Sequence, residues 1–312
     1  MGNRVFDIKN IILLNIDEDD LNSFLVDMDI DDKGKALYQL DELTREIINV
    51  IPEYAFACYH NPDIPQTESV DKLREAAKSI YKIKEYELMR RWYMNNDNEA
   101  LIELEKSSYK KRGEFGELLL HMLLRDFKET IPLISKVYFK DSMGVPAHGF
   151  DAVHVSPKDG MLWLGESKLY SDGKNGIDEL LEDINHHIKR DYLDEQFIVI
   201  KKNLTNNSIP ERDQWIEQLN KCSKLQDKIK TINIPLLCTY PHDIYNKFTN
   251  MTDPNAISYH EINIRELKSY FDKKNTHPLK NSLNIILMLF PIRDKNEFVK
   301  RLHERLWHMQ EM

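Results

Sequence analysis

The chain has 312 residues, 52 Asp/Glu against 43 Lys/Arg for a net charge of −9, and 41% hydrophobic and 10% aromatic content. That balance excludes a disordered, collagen-like or low-complexity chain, and the length suits about two domains or one core with a large elaboration. The longest apolar run, residues 285–290, is far short of the ~20 residues that span a bilayer. The first ten residues lack the apolar core and small-residue cleavage site of a signal peptide. Cys58, Cys222 and Cys238 are too scattered for a CxxC zinc site and read as reduced thiols. The expectation is a cytoplasmic protein that makes no use of a membrane.

Residues 1–105 read as a mainly helical region. Residues 1–50 hold twelve acids and five bases, and 17–32 alone has eight acids and no base. Such a run reads first as a solvated surface, with a docking or self-inhibitory segment that mimics a polyanion as the alternative. Over 70–94, Leu73, Ala76, Ala77, Ile80, Tyr81 and Ile83 recur at helical spacing. The Asn61-Pro-Asp-Ile-Pro65 and Asn95-Asn-Asp-Asn98 stretches are breaks on either side. Residues 54–59 fit a short strand or a buried helical turn.

The character changes over 106–312. Phe115, Leu118, Leu119, Met122 and Leu123 form an i, i+3, i+4, i+7, i+8 stripe, which predicts an amphipathic helix over 114–125. Three segments of strand character follow, 133–140, 149–155 and 161–169, the last two joined by the tight-turn sequence Ser156-Pro-Lys-Asp-Gly160. Ile177, Leu180, Leu181, Ile184 and Ile188 predict a helix over 176–189. Residues 190–230 read as mainly helical, with 197–200 ambiguous. Strands are expected at 233–240 and 283–290, and a terminal helix at 295–309. The order implies an α/β fold, a mixed sheet flanked by helices with a hairpin in its middle.

The chemistry concentrates in that hairpin. Glu166 and Lys168 of Gly165-Glu-Ser-Lys168 project from one face of a strand, because side chains alternate. If Lys158 and Asp159 form a two-residue loop, Asp151 lies opposite Glu166; a slip of one residue would break the pairing. Two carboxylates so close repel each other in apolar surroundings unless a divalent cation sits between them. Lys168 could then orient water or steady charge on a phosphate, which together suggest a magnesium-dependent phosphodiesterase. Against this, ExK triplets arise by chance and are mostly surface ion pairs. The apolar strand Met161-Leu-Trp-Leu leading into this one, and the acid opposite it, favour the functional reading. Upstream, Arg112-Gly-Glu-Phe-Gly-Glu117 places Glu114 and Glu117 on one side of a helix start. Either they complement the helix dipole, or one of them, Glu117 ahead of Glu114, completes a metal site.

A helix acid, an Asp, a short hairpin and ExK in that order resemble the PD-(D/E)xK nuclease superfamily. The wording RGEFGELLLHMLLR, GFDAVHV and LWLGESKLY is similar to the HamA family, the nuclease component of Hachiman antiphage defence. The resemblance covers about 55–240 well and the flanks weakly. It implies a restriction-endonuclease-like core and hydrolysis of DNA. It further implies Asp151 and Glu166 as ligands of Mg²⁺ (or Mn²⁺), Lys168 as the catalytic lysine and Glu117 as the supporting helix acid. The implied partner is a HamB-like superfamily-2 helicase that holds the nuclease in check. His148-Gly-Phe-Asp151 lacks the proline of the superfamily's name, a loss its members often show.

Basic residues flank the motif. Lys110, Lys111 and Arg112 precede the acidic helix, and Lys189 and Arg190 close the helix after the ExK strand. Either set could meet backbone phosphates, or simply end a helix in solvent. Three SxxK matches, at Ser79, Ser107 and Ser108, are chance hits in a lysine-rich chain. There is no Walker A, GxGxxG or HExxH sequence. His186 and His187 point different ways on a helix and make a poor metal pair; His121 and His148 read as ordinary hydrogen-bonded histidines. Two other readings stand beside the DNA nuclease: a non-catalytic adaptor that regulates a helicase on the same scaffold, and an RNase.

Overall fold

The structure, a computed structural model, describes residues 8–56, 66–81, 86–106, 113–133, 149–206, 212–221 and 224–312. The first elements are strands: β1 (Ile12–Asp17), β2 (Leu21–Val26), β3 (Met28–Ile30) and β4 (Ala36–Tyr38). Five helices follow, α1 (Leu40–Asn49), α2 (Ile51–Phe56), α3 (Ser69–Ile80), α4 (Tyr86–Asn95) and α5 (Asn98–Lys106). Then come α6 (Glu114–Phe127), β5 (Ile131–Pro132), β6 (Ala152–Ser156), β7 (Met161–Leu169) and α7 (Gly173–His187). Helices α8 (Arg190–Asn206), α9 (Arg212–Lys221) and α10 (Leu225–Ile229) lead into β8 (Ile232–Pro241). The chain closes with α11 (Ile244–Lys247), α12 (Pro254–Lys274), β9 (Asn284–Ile292) and α13 (Lys295–Glu311).

Seven strands form one mixed sheet in the order β1-β2-β9-β8-β7-β6-β5. The four inner strands β2, β9, β8 and β7 run parallel, and antiparallel pairs close both edges. Parallel strands need both faces covered, so they read as continuous apolar runs without alternation. Here β8 and β9 are buried almost end to end. One face packs on α1, α3, α6 and α13 through Leu43, Ile47, Phe115, Leu119, Phe298 and Leu302. The other packs on α7, α8 and α12 through Ile177, Leu180, Phe197, Ile264 and Leu267. This is the mixed sheet flanked by helices that the element order implies, but the β6–β7 hairpin lies toward one edge, beside β5, and the parallel strands β8 and β9 take the middle.

The first 105 residues hold more helix than strand, yet they open with four strands that a helical reading did not contain. The acidic run 17–32 is not one solvated surface: β2 lies inside it, all six residues buried, pairing with β9 in the main sheet. Its acids lie outside that strand, in the turns around it and on the neighbouring strands, Asp17 at the end of β1 and Asp29 within β3. A six-residue strand buried on both faces has no alternation to announce it, and flanking acids hide it further.

Other expectations shift at the edges. Helix α3 stops at Ile80 because Tyr81 is extended, its hydroxyl 2.6 Å from His303 Nδ1. Residues 51–56 are helical, while 57–59, with Cys58 and the 61–65 connector, lie outside the described residues, as do Cys222 and most of 133–140. The ambiguous 197–200 stretch is part of α8, with Phe197 and Ile200 buried and Ile198 exposed. Between β8 and β9 lies a 21-residue crossover helix, α12, in a stretch with no expected element. Asp253 caps it by accepting from the Asn255 N–H, and Pro254 opens its first turn, a start signal legible in Asp253-Pro254. Among the described residues no helix is long and apolar enough to cross a membrane.

Candidate active site

The hairpin has the anticipated register, from Ala152↔Gly165 to Ser156↔Met161. Its loop is wider than two residues, however, a turn over 157–160 closed by Gly160 at φ +68°. Glycine suits that left-handed backbone, which other side chains rarely adopt. Strand β6 begins at Ala152, so Asp151 stands just outside the ladder. Its carboxylate Oδ2 takes the place of a strand partner and accepts from both the backbone N–H and the Oγ–H of Ser167, each at 2.9 Å.

Strand parity sorts the neighbours. Glu166 and Lys168 share the face covered by α7, and Ser167 faces α6. Helix α6 approaches closely because Gly116 has no side chain: a Cβ there would meet Ser167 Oγ at 3.2 Å. Gly165, one residue before Glu166, does the same for packing against Leu120 and Pro235, where a Cβ would come within 2.8 and 3.0 Å. These two glycines let the first turn of α6, with Glu117, sit beside the end of β7.

The structure therefore brings Asp151, Glu166, Lys168 and Glu117 into one electrostatic neighbourhood. Glu166 is 4% exposed. Burial pushes its carboxyl well above the ordinary range, the charges of Asp183 and Glu117 add to this, and Lys168 opposes it. Asp151 is likewise driven well up, first by burial and then by Glu117 and Glu166, with Ser167 offsetting part. Burial tends to lower the Lys168 ammonium, but the hydrogen bond and charge of Asp183, with Asp151 and Glu166, outweigh it and hold Lys168 protonated. Each group also has its own partner. Lys168 Nζ lies 2.6 Å from Asp183 Oδ2, His187 Nδ1 lies 2.6 Å from Glu166 Oε1, and the Tyr54 hydroxyl donates to Glu117 Oε2. His187 stacks on Tyr192 with ring centroids 4.4 Å apart, and Phe150 meets the edge of the same ring pair.

Among the described residues, no three His, Cys, Asp or Glu side chains are grouped closely enough to hold a metal ion. The reason is visible in the contacts: each carboxylate is drawn toward a different donor. The donor set itself is all carboxylate oxygen, the chemistry of a hard divalent cation. Asp151 and Glu166 also carry crowded, poorly solvated negative charge, the condition that such a cation relieves.

Glu114 also lies in the first turn of α6, and its charge reaches Tyr54. Lys189 and Arg190 are exposed, but they do not close α7, which ends at His187: Lys189 lies in the turn and Arg190 opens α8. Lys110, Lys111, Arg112 and His148 lie outside the described residues. His186 is exposed while His187 turns inward, so the two histidines diverge as expected, but His187 reaches the site. Residue patterns missed it, along with Asp183, Tyr192, Ser167 and Tyr54. Only the i, i+4 spacing of Asp183 and His187 beside an apolar stripe hinted that they share a side of α7.

His121 is indeed a buried, hydrogen-bonded histidine. Its Nδ1 is 3.0 Å from His154 Nε2, whose Nδ1 is 2.8 Å from Thr130 Oγ1. Burial keeps both rings neutral, lowering His121 well below the usual range and His154 to about 3.

Fold and site together define a mixed α/β protein whose β6–β7 hairpin, near one edge of the sheet, gathers an Asp, a Glu and a Lys against the acidic start of a helix. A family model described as HamA matches residues 4–306, nearly the whole chain, and the chain belongs to the HamA family. It is thus a protein of Hachiman antiviral defence, a setting that implies a partner within the same complex. No solved structure matches it significantly.

Proposed function

We propose that this protein is a metal-dependent DNA nuclease, the effector of an antiphage complex, set to work when a HamB-like superfamily-2 helicase releases or activates it. The observation that carries the reading is the pairing of two crowded carboxylates, Asp151 and Glu166, with a protonated Lys168 on the same strand end. Asp151 and Glu166, with Glu117 in support, would hold Mg²⁺ or Mn²⁺. When bound, the ion supplies Lewis-acid polarisation of the scissile phosphate and a lower pKa for an attacking water. Lys168 orients that water and offsets charge building on the phosphate oxygens. Asp151 is tied to β7 through its two hydrogen bonds from Ser167. Exposed Lys189 and Arg190 suit contact with the DNA backbone beside the site.

The test is plasmid cleavage by the wild type and by Glu166→Ala/Lys168→Ala, in Mg²⁺ or EDTA, with the helicase absent and present and RNA as a parallel substrate. Cutting that needs metal and disappears in the double variant supports nuclease and site together. Cutting that survives moves the site elsewhere, and cutting of RNA alone makes the protein an RNase. No cutting of either substrate, with or without the helicase, replaces the proposal with that of a non-catalytic adaptor.

A further inference from the structure

We propose that helix α7 is a two-point clamp on the reactive strand, with Asp183 positioning Lys168 and His187 positioning Glu166. The purpose of the clamp rests on the nuclease reading above; its existence does not. Side chains one turn apart on a helix are about 5–6 Å apart, and residues i and i+2 on one face of a strand are separated by about 6.6 Å. The two repeats nearly match, so a helix lying along a strand can touch both members of an ExK pair at once. The structure does this: Asp183 and His187, four apart, reach Lys168 and Glu166, two apart, each at 2.6 Å.

The clamp is anchored at both ends of its mechanical chain. Helix α7 is fixed by buried Ile177, Leu180, Leu181 and Ile184, and its start is capped by Asp172, which accepts from the Lys174 and Asn175 N–H groups at 2.9 and 3.1 Å. The His187 ring cannot swing freely, because Tyr192 stacks on it at an interplanar angle of 12° and Phe150 abuts it edge-on. Phe150 directly precedes Asp151, so the ring that orients Glu166 also packs on the residue before its opposing acid. A long lysine side chain has many rotamers, and a fixed carboxylate selects one of them. Outer partners of this kind orient a site without touching substrate, and their loss typically lowers affinity or activity about 10- to 100-fold.

The experiment pairs a contact measurement with a kinetic one on the full chain. In metal-free protein, Lys168 is acetylated with an amine-reactive ester and quantified by mass spectrometry against exposed Lys189. Asp183→Asn should raise Lys168 labelling several-fold, His187→Gln should not, and Asp183→Glu should restore protection. In Mg²⁺ with plasmid DNA, with and without the helicase, Asp183→Asn and His187→Gln should lower kcat about 10- to 100-fold at little changed KM. Asp183→Ser serves in the same assays if the Asn variant does not fold. Unchanged labelling overturns the clamp. Raised labelling with unchanged or increased kcat overturns its positioning role. Raised labelling in a chain whose wild type cuts nothing supports the clamp and counts against the nuclease reading instead.

Discussion

The hydroxyl of Tyr54 donates to the Glu117 carboxylate across 63 positions of sequence, tying α2 to the first turn of α6. Burial, then the charge and hydrogen bond of Glu117, raise the phenol far above its ordinary range, so Tyr54 stays a donor. Its ring also meets His121 edge-on at 5.4 Å, which fixes the phenol from behind. Tyr54→Phe keeps the ring and removes the donor. It should cost about 1 kcal/mol in urea unfolding and reduce cleavage by loosening Glu117. Unchanged stability and unchanged cleavage would show that Glu117 does not depend on this contact.

Glu166→Gln should stabilise the metal-free protein. The folded chain holds the Glu166 proton to higher pH than the unfolded chain, so stability falls as pH rises from the ordinary value of 4.5 through the folded-state value. The amide removes that dependence, and each kcal/mol relieved raises Tm by about 2–4 °C. Thermal melts from pH 4 to 8 test this; parallel curves for the two proteins would sink it.

The buried histidine pair predicts the opposite slope. His154 is lowered from 6.5 to about 3, so the unfolded chain binds its proton first and stability drains away as pH falls through that window. His154→Gln should flatten acid unfolding between pH 6.5 and about 3, followed by circular dichroism. An unaltered acid midpoint would contradict the assignment.

Gly165→Ala tests the close approach of α6 to β7. Its Cβ would meet Leu120 Cδ2 at 2.8 Å and Pro235 Cγ at 3.0 Å, with the Pro235 carbonyl at 3.4 Å behind them. Overpacking of this kind costs about 1–3 kcal/mol, which chemical denaturation resolves easily. Because Glu166 is the next residue, cleavage should fall as well. A variant as stable as the wild type would mean that the helix can give way.

Lys189→Glu/Arg190→Glu should weaken DNA binding in metal-free conditions. The plot of log K against log salt should lose about one unit of slope for each phosphate contact removed. The fold should be unaffected, because both residues are exposed. An unchanged slope would place the DNA path away from the α7–α8 turn.

Local pattern carried a large part of this architecture. The 3.6-residue stripe beginning at Phe115 and the run Ile177 to Ile188 mark α6 and α7 as helices; α7 buries that one face, whereas α6 is buried nearly all round, because the sheet and other helices enclose it. The strand period, with a turn at Ser156-Pro-Lys-Asp-Gly160, specifies the register that puts Asp151 opposite the Glu166 end of β7. Where local pattern fell short, the burial was two-sided or masked by charge. Strand β2 is buried on both faces, and the acids around it lie in turns or on β1 and β3 rather than on the strand itself.

The sequence by itself determined that Asp151, Glu166 and Lys168 lie together on the hairpin, because they are linked by one short turn and a period of two. Only the tertiary structure decided what surrounds them. Tyr54, Asp183 and His187 reach the site from helices before and after the hairpin, and their partners follow from how those helices lie across the sheet. The positions of those helices are fixed by packing: Gly116 and Gly165 set how near α6 comes, and the Ile177–Ile184 stripe sets where α7 lies. Side-chain spacing within a helix is local, but which strand it meets is a property of the whole core.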